Sequence, residues 1–184
     1  MNEKQQKVME ELFTCMDTSY KDIFAHLAEY AVALGYNPVR NKTQDITIDF
    51  KNNKTKKCIL KMEQHEQKHD EYQYKERNVP GIRLRFFAVK EYSDIFKLGI
   101  KRVIENFDGR YTGCYGCGRC DGTQGYTYLY DDGREVFRCG SELISIFDFS
   151  KENIPEIEAL MKAQAVYYSK SQEKQQPVIT VPVK

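Results

Sequence analysis

Four clustered cysteines constrain this chain more than any other feature of its sequence. Three of them recur at every third position, and the fourth follows after 18 intervening residues; they are Cys114, Cys117, Cys120 and Cys139. With six cysteines in 184 residues, chance would place two more thiols at these offsets for only about one cysteine in a thousand. A C-x-x-C turn brings two thiolates to one tetrahedral ion, and thiolates are zinc ligands. The cluster therefore predicts one zinc ion held by these four side chains.

The ligand set predicts a structural metal rather than a catalytic one. Four thiolates fill the tetrahedral coordination of zinc and leave no position for a reactive water. Gly118 directly follows Cys117, and a glycine there allows a positive φ and lets backbone N–H groups approach the sulfurs. We expect zinc binding to order the cysteine loop and the hairpin that follows it.

The segment Cys114–Gly118 resembles the metal-binding knuckle of zinc ribbons and rubredoxins. The pair Cys139-Gly140 resembles the latter half of a second knuckle, although Val136 stands where that knuckle would have its other cysteine. The resemblance covers residues 114–140 and implies metal binding, with Cys120 replacing the missing ligand. Outside this segment the chain looks like a bacterial domain of unknown role.

Two other chemistries compete with zinc. The C-x2-C-x2-C run also begins ferredoxin iron–sulfur motifs, but these continue x3-C-P, and Gln124 and Gly125 occupy those positions. Free or redox-active thiols are the other alternative, because a neighbouring guanidinium lowers a thiol pKa. Arg119 and Arg138 flank cysteines, but we expect them to be solvent-exposed loop charges.

Hydrophobic periodicity outside the cluster predicts an α+β fold. Apolar residues recur at helical spacing in two N-terminal segments and again after each of two groups of strands. The predicted helices span 4–16, 19–35, 92–107 and 153–168, and the predicted strands span 46–50, 58–62, 82–89, 126–130, 135–138 and 143–149. Two N-terminal helices are thus followed by two βββα units, which we expect to form a mostly antiparallel sheet with helices on one face. The repeated order suggests a duplication.

Local signals mark the boundaries of these elements. Gly35 is placed to end the second helix, and Asn153 with Glu156 predicts a capping box for the last one. The predicted parts of the chain are the N-terminal helices at 1–36, the first βββα unit at 37–109, the cysteine loop with the second unit at 110–168, and a flexible tail at 169–184. We expect the two units to share one domain.

Charge and composition narrow the range of partners. The net charge is +1, so no chain-wide attraction to nucleic acid or anionic lipid is expected. Arginines near the cysteines are offset by acidic neighbours, which also argues against a nucleic-acid partner. The chain has no run of 18 apolar residues and does not begin with a signal-peptide pattern. Clustered thiols without a secretion signal indicate the reducing cytoplasm.

A second predicted site would bind a ligand rather than a metal. Arg83 and Arg85 alternate with apolar residues on one strand, and Tyr126 and Tyr128 alternate on another. Together these four side chains predict a polar ligand cleft. The alternative is that they form the solvent-exposed face of an antiparallel sheet.

The remaining histidines and cysteines carry weaker signals. His65 and His69 match the H-E-x-x-H motif of zinc proteases, but their charged and amide neighbours favour a solvated loop. Cys15 and Cys58 lie on apolar faces and are expected in the core.

The sequence therefore favours a binding or interaction domain over an enzyme. We expect a cytoplasmic domain with a structural zinc site that binds a small molecule or a protein. A thiol or iron–sulfur redox protein is one alternative, and a zinc-ribbon-like nucleic-acid-binding protein is another.

Overall fold

The computed structural model describes residues 1–43, 46–64, 80–106, 112–118, 120, 122–147 and 149–173. Its helices are α1 (Glu3–Thr14), α2 (Thr18–Ala33), α3 (Asp94–Asn106) and α4 (Ile154–Glu173). Its strands are β1 (Asn37–Arg40), β2 (Thr47–Lys51), β3 (Cys58–Gln64), β4 (Pro80–Leu84), β5 (Gly125–Leu129), β6 (Glu135–Cys139) and β7 (Ile144–Ile146). A short 3-10 turn, Lys151–Asn153, precedes α4.

Five strands form one antiparallel sheet in the order β1-β2-β3-β4-β7, while β5 and β6 pair as a separate hairpin. This arrangement confirms the predicted α+β class, in which two N-terminal helices precede a mostly antiparallel sheet. The two predicted units use their strands differently. The first places four strands in the sheet, one more than predicted, whereas the second places only β7 there. The two halves therefore do not repeat one sheet arrangement.

The strands pair in a register that places apolar side chains on one face of the sheet and polar side chains on the other. Ile48 lies opposite Met62, Met62 opposite Ile82, and Ile82 opposite Ile146, and all four side chains are buried. The opposite face carries a row of register partners, Asp49, Lys61, Arg83 and Ser145. Successive side chains of a strand point to opposite faces, so the helices pack on the apolar face and enclose one core.

Capping residues set where the helices begin and end. Asp17 caps α2 and accepts a hydrogen bond from Ser19 N at 2.9 Å. Gly35 has a φ of +85° directly after the C-cap of α2, as predicted. The predicted capping box of Asn153 with Glu156 is wrong. Asn153 Oδ1 accepts from Ser150 N in the box that caps the 3-10 turn, and Glu156 Oε1 accepts from Ser93 N.

Helix α3 approaches the sheet closely at Gly99. A Cβ atom at this position would lie 2.7 Å from Ile146 Cδ1 and 2.9 Å from Ile144 Cγ2. The same helix also contacts β5 and β6. It therefore joins the five-stranded sheet to the hairpin that follows the cysteine loop.

Helix α4 begins near its predicted start and extends past its predicted end. It continues to Glu173, so the first residues of the predicted tail are helical, while 174–184 lie outside the described residues. No helix within the described ranges is both long and apolar enough to span a bilayer.

Candidate metal centre

The cysteine loop is attached to strand β6 by its backbone. Thr112 and Gly113 form isolated bridges with Arg138, and Gly113 N donates a hydrogen bond to Phe137 O at 2.7 Å. These contacts lay the start of the loop beside the strand that ends at Cys139. The loop and the last predicted zinc ligand are therefore neighbours in space.

Cys139 is buried, with 3% of its surface exposed. Burial alone would raise the pKa of Cys139. Hydrogen bonds to its sulfur outweigh burial and hold that pKa below its usual value; they come from the hydroxyl and backbone amide of Ser141 and the backbone amide of Tyr115. Amides that face a sulfur favour the thiolate, which is the form that binds a metal. The surroundings of Cys139 therefore suit a thiolate ligand.

Cys114 repeats part of this pattern within the loop. Gly116 N, two residues after the cysteine, donates to its sulfur at 3.4 Å, just as the amide two residues after Cys139 faces that sulfur. Gly118 has a φ of +68°, as predicted, and only glycine adopts this conformation without strain. Each of these two sulfurs thus faces the backbone amide of the second residue after its cysteine.

Val136, which stands in sequence where a second knuckle would have its other cysteine, lies within strand β6. Val136 pairs with Tyr128, and Cys139 pairs with Gly125. An offset of three residues places two side chains on opposite faces of a strand. Val136 therefore points away from the side of the hairpin that carries Cys139, and Cys139 does not complete a knuckle with it.

One cavity gathers three of the four predicted ligands. It has a volume of about 280 Å³, and Cys117, Cys120 and Cys139 all line it. The cavity lies between the β2–β3 turn, the residues after β4, the cysteine loop and α4. Cys114 is not among the described residues of the lining; its sulfur lies 3.8 Å from where a Cβ on Gly122 would be.

Three of the cysteines line one cavity, but the described residues do not form a closed metal site. Across the described parts of the chain, no three cysteine, histidine, aspartate or glutamate side chains converge closely enough to form a metal-binding group. The donors nonetheless fit zinc in kind, because thiolates that receive backbone N–H groups are typical zinc ligands. The four-cysteine zinc site therefore stays a prediction.

No protein-family model, curated protein or solved structure matches this chain. The resemblance of the cysteine segment to zinc ribbons and rubredoxins accordingly stays a prediction as well. The function of the site has to be inferred from its own geometry.

The prediction that Arg138 is a solvent-exposed loop charge is wrong. Its side chain is fully buried, with the guanidinium carbon 5.5 Å from the ring centre of Tyr115 and Nη2 3.8 Å from Glu142 Oε1. The Tyr115 hydroxyl donates to the same carboxylate at 2.8 Å, and burial together with Glu142 raises the pKa of Tyr115 to about 12. This group ties the cysteine loop to the residues after β6. Arg119 lies outside the described residues.

The two arginines of the predicted ligand cleft lie apart. Arg85 lines the cavity, where its guanidinium donates to Ser141 O at 3.2 Å and to Cys58 O at 3.3 Å. Arg83 lies on the polar face of the sheet, with Nε 2.7 Å from Glu63 Oε1. Arg83 therefore belongs to a cross-strand ion pair.

The two tyrosines of the predicted cleft belong to the hairpin. Tyr126 is buried, and its hydroxyl accepts a hydrogen bond from Phe86 N at 3.2 Å. Tyr128 packs edge-to-face against Tyr130, with ring centres 4.7 Å apart. Among the described residues, Arg85 is the one member of the four that lines the cavity, and a cleft shared by all four stays a prediction.

The predictions for the other cysteines, Cys15 and Cys58, and for the histidines of the H-E-x-x-H motif have different outcomes. Cys58 is buried, as predicted, and burial raises the pKa of its thiol to about 11, so it remains protonated. The prediction of a core position for Cys15 is wrong, because this residue is exposed at the C-cap of α1. His65 and His69 lie outside the described residues.

The sequence places Lys56 and Lys57 in a lysine run on a strand turn, which could contact phosphate but is expected to be solvated; that they share a cavity with the cysteines and Tyr168 was missed. The available signal was a run of lysines without an acidic residue at the β2–β3 turn. That run indicates positive charge, but nothing local in the sequence places it beside thiols more than 50 residues away.

Proposed function

We propose that this chain is a cytoplasmic binding or interaction domain in which one structural zinc ion joins the cysteine loop to the hairpin. The ligands are the thiolates of Cys114, Cys117, Cys120 and Cys139. The observation that carries the proposal is the meeting of the last three at one cavity. The amide of Tyr115, the residue after Cys114, faces the sulfur of Cys139, which brings the start of the loop to the same place.

Apart from the contacts of Gly113 with β6 and of Tyr115 with Arg138 and Glu142, the loop buries little that would order it. Residues 114–118 are all exposed, so they gain little from apolar burial. Fixing the backbone of each residue costs on the order of 1–2 kcal/mol. Zinc binding contributes about 10 kcal/mol or more in small zinc domains. A metal cross-link is therefore large enough to offset the ordering of this loop.

The chain's own groups would then have distinct roles. The four sulfurs bind the ion, and the amides of Ser141, Tyr115 and Gly116 stabilise the thiolates. The ion supplies a cross-link rather than a reactive centre, because four sulfurs leave no open coordination position. All six cysteines are free thiols, so the four ligands are available to bind a metal as thiolates.

Elemental analysis of the purified chain tests the proposal. We expect one zinc per chain in the native protein and in Cys15→Ser, the matched control, whose thiol is exposed and outside the cavity. Cys117→Ser and Cys139→Ser should lose most of the zinc.

Thiol labelling is the second measurement. In the native protein a maleimide should modify Cys15 readily, and the four ligand thiols should react only after a chelator is added.

The same measurements distinguish the alternatives. A folded native chain without metal would overturn the proposal, and ligand thiols that react without chelator would favour the thiol redox protein. Iron in place of zinc would favour the iron–sulfur protein.

A further inference from the structure

The cavity beside the cysteines is positively charged. Lys56 and Lys57 reach it from the β2–β3 turn, and Arg85 reaches it from the residues after β4. No carboxylate occurs among the described residues of its lining, and neither lysine forms an ion pair with a described residue. Cations held together around a small volume attract anions and repel one another. A zinc ion bound by four thiolates leaves two thiolate charges uncompensated, and the three cations of the lining outnumber them. The lining therefore keeps a net positive charge and favours an anionic occupant.

The turn that carries the lysines is held firmly by one asparagine. Asn52 Oδ1 accepts from Lys54 N at 2.9 Å and from Thr55 N at 3.0 Å, and Asn52 O accepts from Lys56 N at 2.9 Å. Lys56 has a φ of +55° and is the one non-glycine residue with a positive φ in the described chain. This conformation costs about 1 kcal/mol or more, and such strain is concentrated at functional sites. The turn is thus preorganised at some cost beside the cavity.

The three cations differ in what they offer a ligand. The guanidinium of Arg85 already donates to the carbonyl oxygens of Ser141 and Cys58, so it adds charge without presenting a free fork. The ammonium groups of Lys56 and Lys57 remain available. A lysine is a common phosphate ligand that acts as a point charge, whereas bidentate recognition of an anion needs a free arginine fork. The available donors therefore favour phosphate.

The cavity also has an apolar side and a limited size. Phe87 and Tyr168 line it, and Lys57 Nζ lies 5.9 Å from the ring centre of Tyr168. The volume of about 280 Å³ is at the lower end of small-molecule pockets, which span about 300–1,000 Å³. An occupant of this size is a small metabolite with one charged end and one apolar end.

We propose that this cavity binds a small phosphate monoester, with the phosphate between Lys56 and Lys57 and the organic group against Phe87 and Tyr168. The inference rests on the proposed function, because the zinc-bound cysteine loop forms one wall of the cavity. It adds the chemical class of the ligand to a domain whose metal is structural.

Binding of phenyl phosphate to the zinc-loaded full chain tests this inference. Titration calorimetry should show saturable binding, tighter than that of inorganic phosphate, against a background of sodium chloride at matched ionic strength. Lys56→Gln and Lys57→Gln should each weaken binding about tenfold, which corresponds to about 1.4 kcal/mol. Lys54→Gln is the matched control, since Lys54 lies on the same turn but does not line the cavity, and it should leave the affinity within about twofold.

Zinc content and resistance to chelator are measured on the same variants. Absence of saturable phenyl phosphate binding would overturn the inference, as would an equal loss of affinity in Lys54→Gln. If Lys56→Gln and Lys57→Gln lose zinc but keep their affinity for phenyl phosphate, the lysines serve the thiolates and the inference fails. A chain that holds one zinc but does not bind phenyl phosphate would overturn this inference and leave the proposed function standing. A metal-free chain that binds phenyl phosphate would overturn the proposed function.

Discussion

Asp49 shows how a single residue on the polar face depends on its neighbours, since only 6% of its surface is exposed. Lys51 Nζ lies 2.8 Å from one carboxylate oxygen and Lys61 Nζ lies 3.3 Å from the other. Asn41 Nδ2 also donates to the carboxylate at 2.7 Å. Burial alone would raise the pKa of Asp49, but these three groups outweigh it and hold the pKa below the usual 3.8.

The substitution Asp49→Asn tests this balance. A carboxylate whose pKa is lower in the folded state stabilises the protein above the unfolded pKa of 3.8, and that contribution disappears as the pH falls through the folded pKa. We expect the variant to lose about 1–3 kcal/mol of unfolding free energy near pH 7, and the difference from the native chain to shrink in acid. Urea denaturation at both pH values measures it.

Asp22→Asn is the control for this prediction. The side chain of Asp22 is 81% exposed, and its carboxylate lies 3.9 Å from Lys151 Nζ, so its loss should change stability by less than about 1 kcal/mol at either pH. An Asp49→Asn deficit that stays constant from neutral pH to acid would contradict the prediction.

At the residue scale, the sequence predicts which side chains could bind a metal but does not show how their neighbours are buried. The spacing of the cysteines was sufficient to predict a metal ligand set. Charge alone predicted exposure for Arg138, since arginine is rarely buried without a partner. Arg138 is buried because Tyr115 and Glu142 close over it. Tyr115 precedes it by 23 residues, and the local pattern does not show that contact.

At the scale of whole elements, strong periodicity was predictable and irregular pairing was not. The alternation of Ile48 and Phe50 with polar residues correctly predicted β2. β1 was missed because it has only four residues and contains Pro38, which an edge strand tolerates. β4 ends at Leu84 rather than at the predicted residue 89. The backbone leaves the sheet there, since Phe86 N donates to the Tyr126 hydroxyl rather than to a neighbouring strand.

The hairpin β5–β6 is attached to the sheet through the hydroxyl of Tyr126. That hydroxyl accepts from Phe86 N, and both residues are buried. Tyr126→Phe would leave the Phe86 amide without its acceptor, so we expect a loss of about 1–3 kcal/mol of unfolding free energy. Urea denaturation of the zinc-loaded protein measures this difference.

Tyr128→Phe provides a matched control on the same strand. Within the described residues, the Tyr128 hydroxyl makes no hydrogen bond, and its ring packs edge-to-face against Tyr130. This variant should therefore stay within about 0.5 kcal/mol of the native chain. Equal stability of the two variants would show that the hydroxyl of Tyr126 does not hold the hairpin to the sheet.

For the molecule as a whole, the apolar core and the cysteine site stabilise different regions. The core lies between the helices and the five-stranded sheet, where Phe24, Phe50 and Leu60 are fully buried. The cysteine loop is exposed from 114 to 118 and contacts the core mainly through the hairpin. Regions of one protein open with different free energies according to the contacts that hold them. The loop and hairpin should therefore depend on the metal, and the sheet should not.

Removal of zinc should consequently open one part of the chain and leave the rest folded. After chelation, we expect the amide of Gly113, which donates to Phe137 O, and the paired amides of β5 and β6 to lose protection from hydrogen exchange. The amides of β2 and β3, which pair within the sheet, should keep their protection.

A variant with Cys114, Cys117, Cys120 and Cys139 all changed to serine should show the same pattern without chelator, while Cys15→Ser should match the native chain. Protection that is lost throughout the sheet would mean that the metal supports the entire fold. Protection that is unchanged in the hairpin would mean that no metal joins it to the loop.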